Sequence, residues 1–134
     1  MKFSIVMPSY NQAPFLAQSL RSVLDQEGNF ELQLIVVDGG STDGSIGILE
    51  SVDDERVEWT SERDEGQANA INKGMGRAHG DVVAWLNSDD AYPPGALQAV
   101  ADAFSSESDP DWVVGRCEIV DQNDRVIRRA ITRY

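Results

Sequence analysis

The chain has little with which to staple itself together or to hold nucleic acid. It carries one cysteine, Cys117, and one histidine, His79. A lone thiol makes no internal disulfide and builds no zinc site, so a reducing compartment is expected. Lys and Arg number 11 against 23 Asp and Glu, a formal net charge of −12. Sequence-independent binding to DNA, RNA or anionic lipid runs on exposed cations, so no nucleic-acid partner is expected. No apolar run approaches the ~20 residues of a membrane-spanning helix. Phe3 to Met7 is too short for the core of a secretion signal and meets Pro8 at once. Repeats and low-complexity tracts are also missing. What remains is 134 residues with 41% apolar content, enough for one domain with its own core. The expected location is cytoplasmic, with peripheral attachment to the inner membrane face left open.

Short strand-like runs alternate with helical spacing. Phe3 to Met7 reads as a buried strand and Leu32 to Val37 as a second. Val57 to Thr60 and Asp81 to Leu86 follow as strands, and Trp112 to Val114 and Arg125 to Arg128 are weaker candidates. Between them, Phe15, Leu16, Leu20, Val23 and Leu24 predict a helix over 14–26, opened by Pro14. Residues 44–52 predict a short helix, and 66–78 another, with Ala68, Ile71, Met75 and Ala78 on its apolar side and Gly80 as its stop. Pro93-Pro94-Gly95 opens a fourth, with Leu97, Val100, Ala101 and Phe104 inward. The alternation predicts an α/β sandwich, a mainly parallel sheet with helices on both faces. In such sheets ligands bind outside the carboxyl ends of the strands.

Three strand ends carry polar chemistry: Pro8-Ser9-Tyr10-Asn11, Asp38-Gly39-Gly40-Ser41 and Asn87-Ser88-Asp89-Asp90. An Asp at such a place is usually a turn or cap residue. Several around one crevice point further. Adjacent carboxylates repel and are steadied by a cation or a proton. Oxygen-only donors favour Mg²⁺ or Mn²⁺ over zinc. Mg²⁺ takes one or two carboxylates and completes its shell with phosphate oxygens and water. An acidic chain short of bases therefore has one economical route to a diphosphate, a divalent ion held by Asp89 with Asp90 second. In an extended chain these two side chains point opposite ways, so one of them is the direct ligand.

These stretches, with Ser61-Glu62-Arg63-Asp64-Glu65-Gly66-Gln67-Ala68-Asn69-Ala70-Ile71-Asn72-Lys73-Gly74 and Pro94-Gly95-Ala96-Leu97, resemble in order the family 2 glycosyltransferases of the GT-A fold. The resemblance covers about residues 3–97. It implies a Rossmann-like sandwich and inverting transfer of a hexosyl group from a nucleoside diphosphate sugar (UDP-, GDP- or dTDP-linked) to an acceptor hydroxyl on a glycan or lipid-linked glycan, with Mn²⁺ or Mg²⁺. By position it implies that Asp38 recognises the base and that Pro8, Ser9 and Tyr10 line the base and ribose. Asp64 and Gly66 form a further wall. Asn87, Ser88 and Asp89 occupy the family's DxD motif, with Asp89 on the metal and Asn87, in place of Asp, on a ribose or sugar hydroxyl.

The family's general base belongs to an acceptor-side half well after the DxD motif. Glu118, Asp121 and Asp124 follow it here, but none sits in a match to the base motif, and the Gln-x-x-Arg-Trp motif of processive members is absent. The chain is therefore expected to be the donor-binding part of a longer catalytic domain, incomplete at the C-terminus. A non-catalytic nucleotide-sugar binding module is the alternative. A phosphoacceptor signalling domain fits poorly, because paired acids do not follow the first strand and no lysine follows Lys73. Gly39-Gly40 and Gly74-x-Gly76 make no dinucleotide fingerprint. His79 reads as a cation at a helix end and Cys117 as a small buried residue. Trp59, Trp85 and Trp112 read as core, Ser41-Thr42-Asp43 as a helix cap, and Lys73 and Arg77 as a solvated face. Arg63 is a candidate for phosphate or nucleobase, and the basic stretch Arg125 to Arg133 for an acceptor or lipid phosphate.

Overall fold

Two long apolar runs become β1 (Lys2–Ser9) and β2 (Glu31–Asp38), buried along nearly their whole length. A strand covered on both faces needs such a run. With β3 (Val57–Ser61) and β4 (Val82–Trp85) they form a sheet in the order β3-β2-β1-β4, every pairing parallel. The connections carry α1 (Ala13–Leu24), α2 (Ser45–Glu50) and α3 (Gln67–Met75), and α4 (Ala96–Phe104) follows β4. The computed structural model describes residues 1–106, 110–121, 123 and 125–129. It separates into two compact units, Met1–Ala101 and Asp102–Tyr134. In the second, β5 (Glu118–Val120) pairs antiparallel with β6 (Val126–Arg129). None of the helices among the described residues is long and apolar enough to cross a membrane.

Helices cover both faces of the four-stranded sheet. On one, Phe3, Ile5, Met7, Leu34 and Val36 join Leu16, Leu20 and Val23 of α1, Leu49 of α2, and Leu97 and Ala101 of α4. On the other, Ile35 and Val37 meet Ala70 of α3 and Ala78. Each large side chain fully buried here is worth about 1.5–3 kcal/mol. The register lines up Ser9, Asp38 and Ser61 as neighbours across three strand ends. The chain runs from β1 outward to β3 and then returns to place β4 on the other side of β1. The reversal opens a crevice beyond the ends of β1 and β4, where ligands of such sheets bind.

Several expectations need correction. Residues 112–114 form no strand; β5 lies further on, at Glu118–Val120. Cys117 is exposed just before it. Trp59 packs partly buried against the core, but Trp85 is 57% and Trp112 74% exposed. Trp85 and Val83 lie on a side of β4 that is not buried. Phe15 is also exposed.

α3 turns small residues to the sheet, burying Ala70 and Gly74, while Ala68 is exposed. A Cβ on Gly74 would lie 2.3 Å from Val6 Cγ1, so this close seat on β1 requires glycine. α3 ends at Met75, so Gly80 is not its stop and His79 is not at its end. The His79 and Gly80 amides instead donate to Ser4 Oγ. A Cβ on Gly80 would strike the backbone of Lys2 and Ser4 at 2.7 Å. Lys73 and Arg77 are not simply solvated; they pair with Glu62 at 2.7 Å and Glu58 at 3.0 Å.

Candidate functional site

A cavity of about 590 Å³ opens at the carboxyl ends of the strands in the first unit, within the usual size of a small-molecule site. Pro8, Ser9, Tyr10 and Gln12 supply the wall after β1. Gly39 follows β2; Arg63 and Asp64 follow β3. Gly66, Gln67 and Ala70 come from the start of α3, and Asn87, Ser88 and Asp89 from the turn after β4.

The β1 wall is held by cross-links between two loops. Asn11 takes a positive φ of 52°, a conformation Asn tolerates better than most residues. Its amide donates to Ser41 Oγ and its Oδ1 accepts from the Thr42 amide. The N-cap of α2 is Gly44 rather than a residue of Ser41-Thr42-Asp43, but Asp43, just before it, bonds at two helix starts. It accepts from the Ser45 amide and hydroxyl at the start of α2 and from the Ala13 amide at the start of α1. The Ser45 hydroxyl, foremost among these donors, holds the Asp43 carboxyl below the usual range.

Asp38 is sealed rather than presented. It is fully buried and absent from the cavity lining. Its Oδ2 accepts from the amides of Gly40 and Ser41 at 2.9 and 2.8 Å and from Ser61 Oγ at 2.8 Å; its Oδ1 accepts from Ser41 Oγ. The carboxylate that reaches the cavity near β2 is that of Asp64. Its Oδ1 accepts from the Gly66 amide, while Oδ2 lies 2.9 Å from the place a Cβ on Gly39 would take. Gly39 thus leaves room for Asp64. Gly39→Ala is expected to turn the Asp64 carboxylate aside, a cheap shift for a side-chain end. Ligand affinity for this cavity should fall by about tenfold, equivalent to about 1.4 kcal/mol. The urea midpoint should stay near that of the parent chain, and a calorimetric titration beside an unfolding curve checks both.

The far wall is a tight turn. Gln67 Nε2 donates to Asn87 Oδ1 at 2.7 Å, and Asn87 Nδ2 donates to Asp90 Oδ2 at 3.0 Å. Ser88 is buried, and Asp90 is exposed without lining the cavity. Asp89 is exposed in the cavity, and its carboxylate has no partner among the described residues. Arg63, the cationic residue of the lining, is also without an acidic partner among the described residues. Ser9 Oγ is buried with no hydrogen-bond partner, a condition that costs about 1–3 kcal/mol unless a ligand or water satisfies it. One free anion, one free cation and one unsatisfied hydroxyl therefore belong to a single cavity.

No group of three or more His, Cys, Asp or Glu side chains among the described residues forms a metal cage. One free carboxylate beside open space suits Mg²⁺ or Mn²⁺, which complete their shells with water and phosphate oxygens. The donor set therefore fits an ion that arrives with an anionic ligand.

The sequence pointed to Pro8, Ser9, Tyr10, Asp64, Gly66, Asn87, Ser88 and Asp89, and the structure brings all of these to the cavity. Asp38 and Asp90 it does not. Gln12, Gly39, Gln67 and Ala70 line the cavity without having been assigned a role; Gly39, Gln67 and Ala70 lie within the stretches that carry the resemblance, which was the available signal. Asp121 accepts from the amides of Asn123 and Arg125 within a turn of the second unit. Asp124 and the tail from Ala130 lie outside the described residues.

A sequence profile described as Glycosyl transferase family 2 matches residues 4–134. This chain belongs to that family. An uncharacterized glycosyltransferase of Nostoc sp. (strain PCC 7120) is 33% identical over 136 residues, covering 99% of this chain and 42% of that protein. S. aureus TarS 1–349, solved in complex with UDP-GlcNAc, superposes with a TM-score of 0.70 at 26% identity over 78% of this chain and 31% of its own. Mannosyltransferase PcManGT from Pyrobaculum calidifontis, in complex with GDP-Man and Mn²⁺, gives 0.69 at 24% identity over 78% of this chain and 32% of its own. The fold is thus the GT-A sandwich of glycosyltransferases. The chain spans less than half the length of each of these three proteins.

Proposed function

We propose that the cavity binds a nucleoside diphosphate sugar and that this chain supplies the donor side of a glycosyl transfer to an acceptor hydroxyl, with inversion at the anomeric carbon. The observation that carries this reading is the unpartnered Asp89 carboxylate facing the same cavity as the unpartnered Arg63. An anionic diphosphate needs compensating charge, and a chain of net charge −12 offers little of its own. A divalent ion held by Asp89 would stabilise the departing nucleoside diphosphate as a Lewis acid. Arg63 contacts the phosphate or the base. Tyr10, 61% exposed on the wall, stacks on the base, and Ser9 Oγ gains a partner in the nucleoside. Asn87 turns its amide to a ribose or sugar hydroxyl. TarS and PcManGT carry different bases, so the fold leaves the base of this donor open; the sugar is a hexose in this reading. The acceptor is a glycan or lipid-linked glycan.

A second reading, donor binding without transfer, draws on the lining itself. Its carboxylates are Asp64, anchored on Gly66, and Asp89, assigned to the ion. Neither is left to take a proton from an acceptor hydroxyl. Calorimetric titration with UDP, GDP and their sugars, with Mn²⁺ and with excess chelator, tests the shared core of both readings. Metal-dependent binding is expected. Equal affinity in chelator would remove the ion from the reading, and no binding by a folded chain would remove the donor. Release of nucleoside diphosphate with an acceptor present separates transfer from binding alone.

A further inference from the structure

The turn that carries Asp89 has no regular structure of its own between β4 and α4. Its main chain is held from the side by polar residues of α1 and of the turn just after it. Ser19 Oγ donates to the Ser88 carbonyl at 2.8 Å, in a buried contact. Ser22 Oγ accepts from the Tyr92 amide at 3.1 Å. Gln26 Nε2 donates to the Pro93 carbonyl at 2.9 Å, and its Oε1 accepts from the Leu97 amide at 3.1 Å. Ser19 and Ser22, three apart, lie on one side of α1, next to the apolar face of Leu16, Leu20 and Val23, and Gln26 follows just past the helix's C-cap, Asp25. Ser19 and Gln26 are buried. A hydrophobic face would have served packing alone. These side chains instead meet main-chain groups from Ser88 to Leu97, in a segment that would otherwise leave buried amides and carbonyls unpaired.

We propose that Ser19, Ser22 and Gln26 are the positioning residues of the Asp89 turn: α1 and the residue just past its C-cap set the direction of the metal-facing carboxylate through the main chain on its C-terminal side and the carbonyl just before it. The same helix starts at Ala13, next to cavity-lining Gln12. One rigid element thus fixes the nucleoside wall at its start and the Asp89 wall along its length. None of the three lines the cavity, so they act through Asp89 and touch no ligand. The functional half of this assignment rests on the donor-binding reading above.

The test uses the full chain and the variants Ser19→Ala, Ser22→Ala and Ser19→Thr, with two readouts. In calorimetry, Ser19→Ala is expected to lose about tenfold or more in Mn²⁺-dependent UDP affinity, the usual scale for a group that orients a metal ligand. Its affinity in excess chelator should not change, and Ser19→Thr, which keeps the hydroxyl, should recover part of the loss. A general loosening of the fold would lower both arms together and overturn the assignment, as would an unchanged metal-dependent arm. In amide exchange, Ser22→Ala should speed exchange at Tyr92 by about tenfold, the equivalent of one lost hydrogen bond. Unchanged exchange overturns the clasp even if the parent chain binds no UDP, an outcome that by itself fails the donor reading.

Discussion

Asp38→Ala is expected to cost about 3–5 kcal/mol of stability, a large part of the 5–15 kcal/mol a domain usually has. The carboxylate is fully buried and accepts four hydrogen bonds from three residues, two of them backbone amides. Bonds to a charged group contribute about 1.5–3 kcal/mol each, and unpaired buried donors add their own penalty. Truncation leaves the Gly40 and Ser41 amides and the Ser61 hydroxyl without their acceptor. Asp38→Asn should lose less, about 1–2 kcal/mol. Its amide oxygen can replace Oδ2, where three donors converge, and the Ser41 hydroxyl, the one donor to Oδ1, can rotate to accept from the new NH₂. Urea unfolding should therefore rank parent, Asn and Ala in that order. If Asp38 instead served mainly to contact a ligand, Ala would unfold near the parent midpoint and lose binding alone.

Asp89→Ala should behave in the opposite way. The side chain is exposed and unpartnered among the described residues, so stability should stay within about 0.5 kcal/mol of the parent. Metal-dependent donor affinity should fall by about a hundredfold or more, equivalent to about 2.7 kcal/mol. Any residual binding should be insensitive to chelator. Asp90→Ala is the informative partner. Asp90 accepts from Asn87 outside the cavity lining, so its removal frees the Asn87 amide and should weaken binding only several-fold. Equal losses from the two variants would mean that both carboxylates hold the ion. Normal binding by Asp89→Ala would place the anion site elsewhere in the cavity.

Much of this arrangement was legible in the chain. Apolar runs that stop at Pro8, Asp38 and Asn87 marked three strand ends; in β1 and β2, buried on both faces, the polar residues inside the run are few, and Ser4 and Gln33 bond each other. The difference between Asp38 and Asp64 was not legible. Both sit at or after strand ends; the Gly40, Ser41 and Ser61 donors close over Asp38, while Asp64 keeps the room that Gly39 leaves it at the cavity. α3 misled for a related reason. Hydrophobic spacing picked out Ala68, Ile71 and Met75, but the helix sits so near β1 that Ala70 and Gly74 are the residues that fit. Trp85 looked like core in an apolar strand; its strand is at the edge of the sheet, and that side of it is not buried. The Ser19, Ser22 and Gln26 contacts carry no hydrophobic signal at all, so a pattern-based reading passes over them.

The position of β1 between β2 and β4 also has a bearing on how the protein is made. Of these four strands β1 is made before both of its neighbours, and the second of them does not exist until Trp85 has been added. At roughly 5–20 residues per second, Phe3, Ile5 and Met7 wait about 4 to 16 s for that partner. A nascent chain therefore cannot finish its core in the order of translation. The two sides of the crevice, one beginning at Ser9 and the other ending at Asp89, come together only at the close of this interval, when β4 pairs the open edge of β1 from Phe3 to Val6.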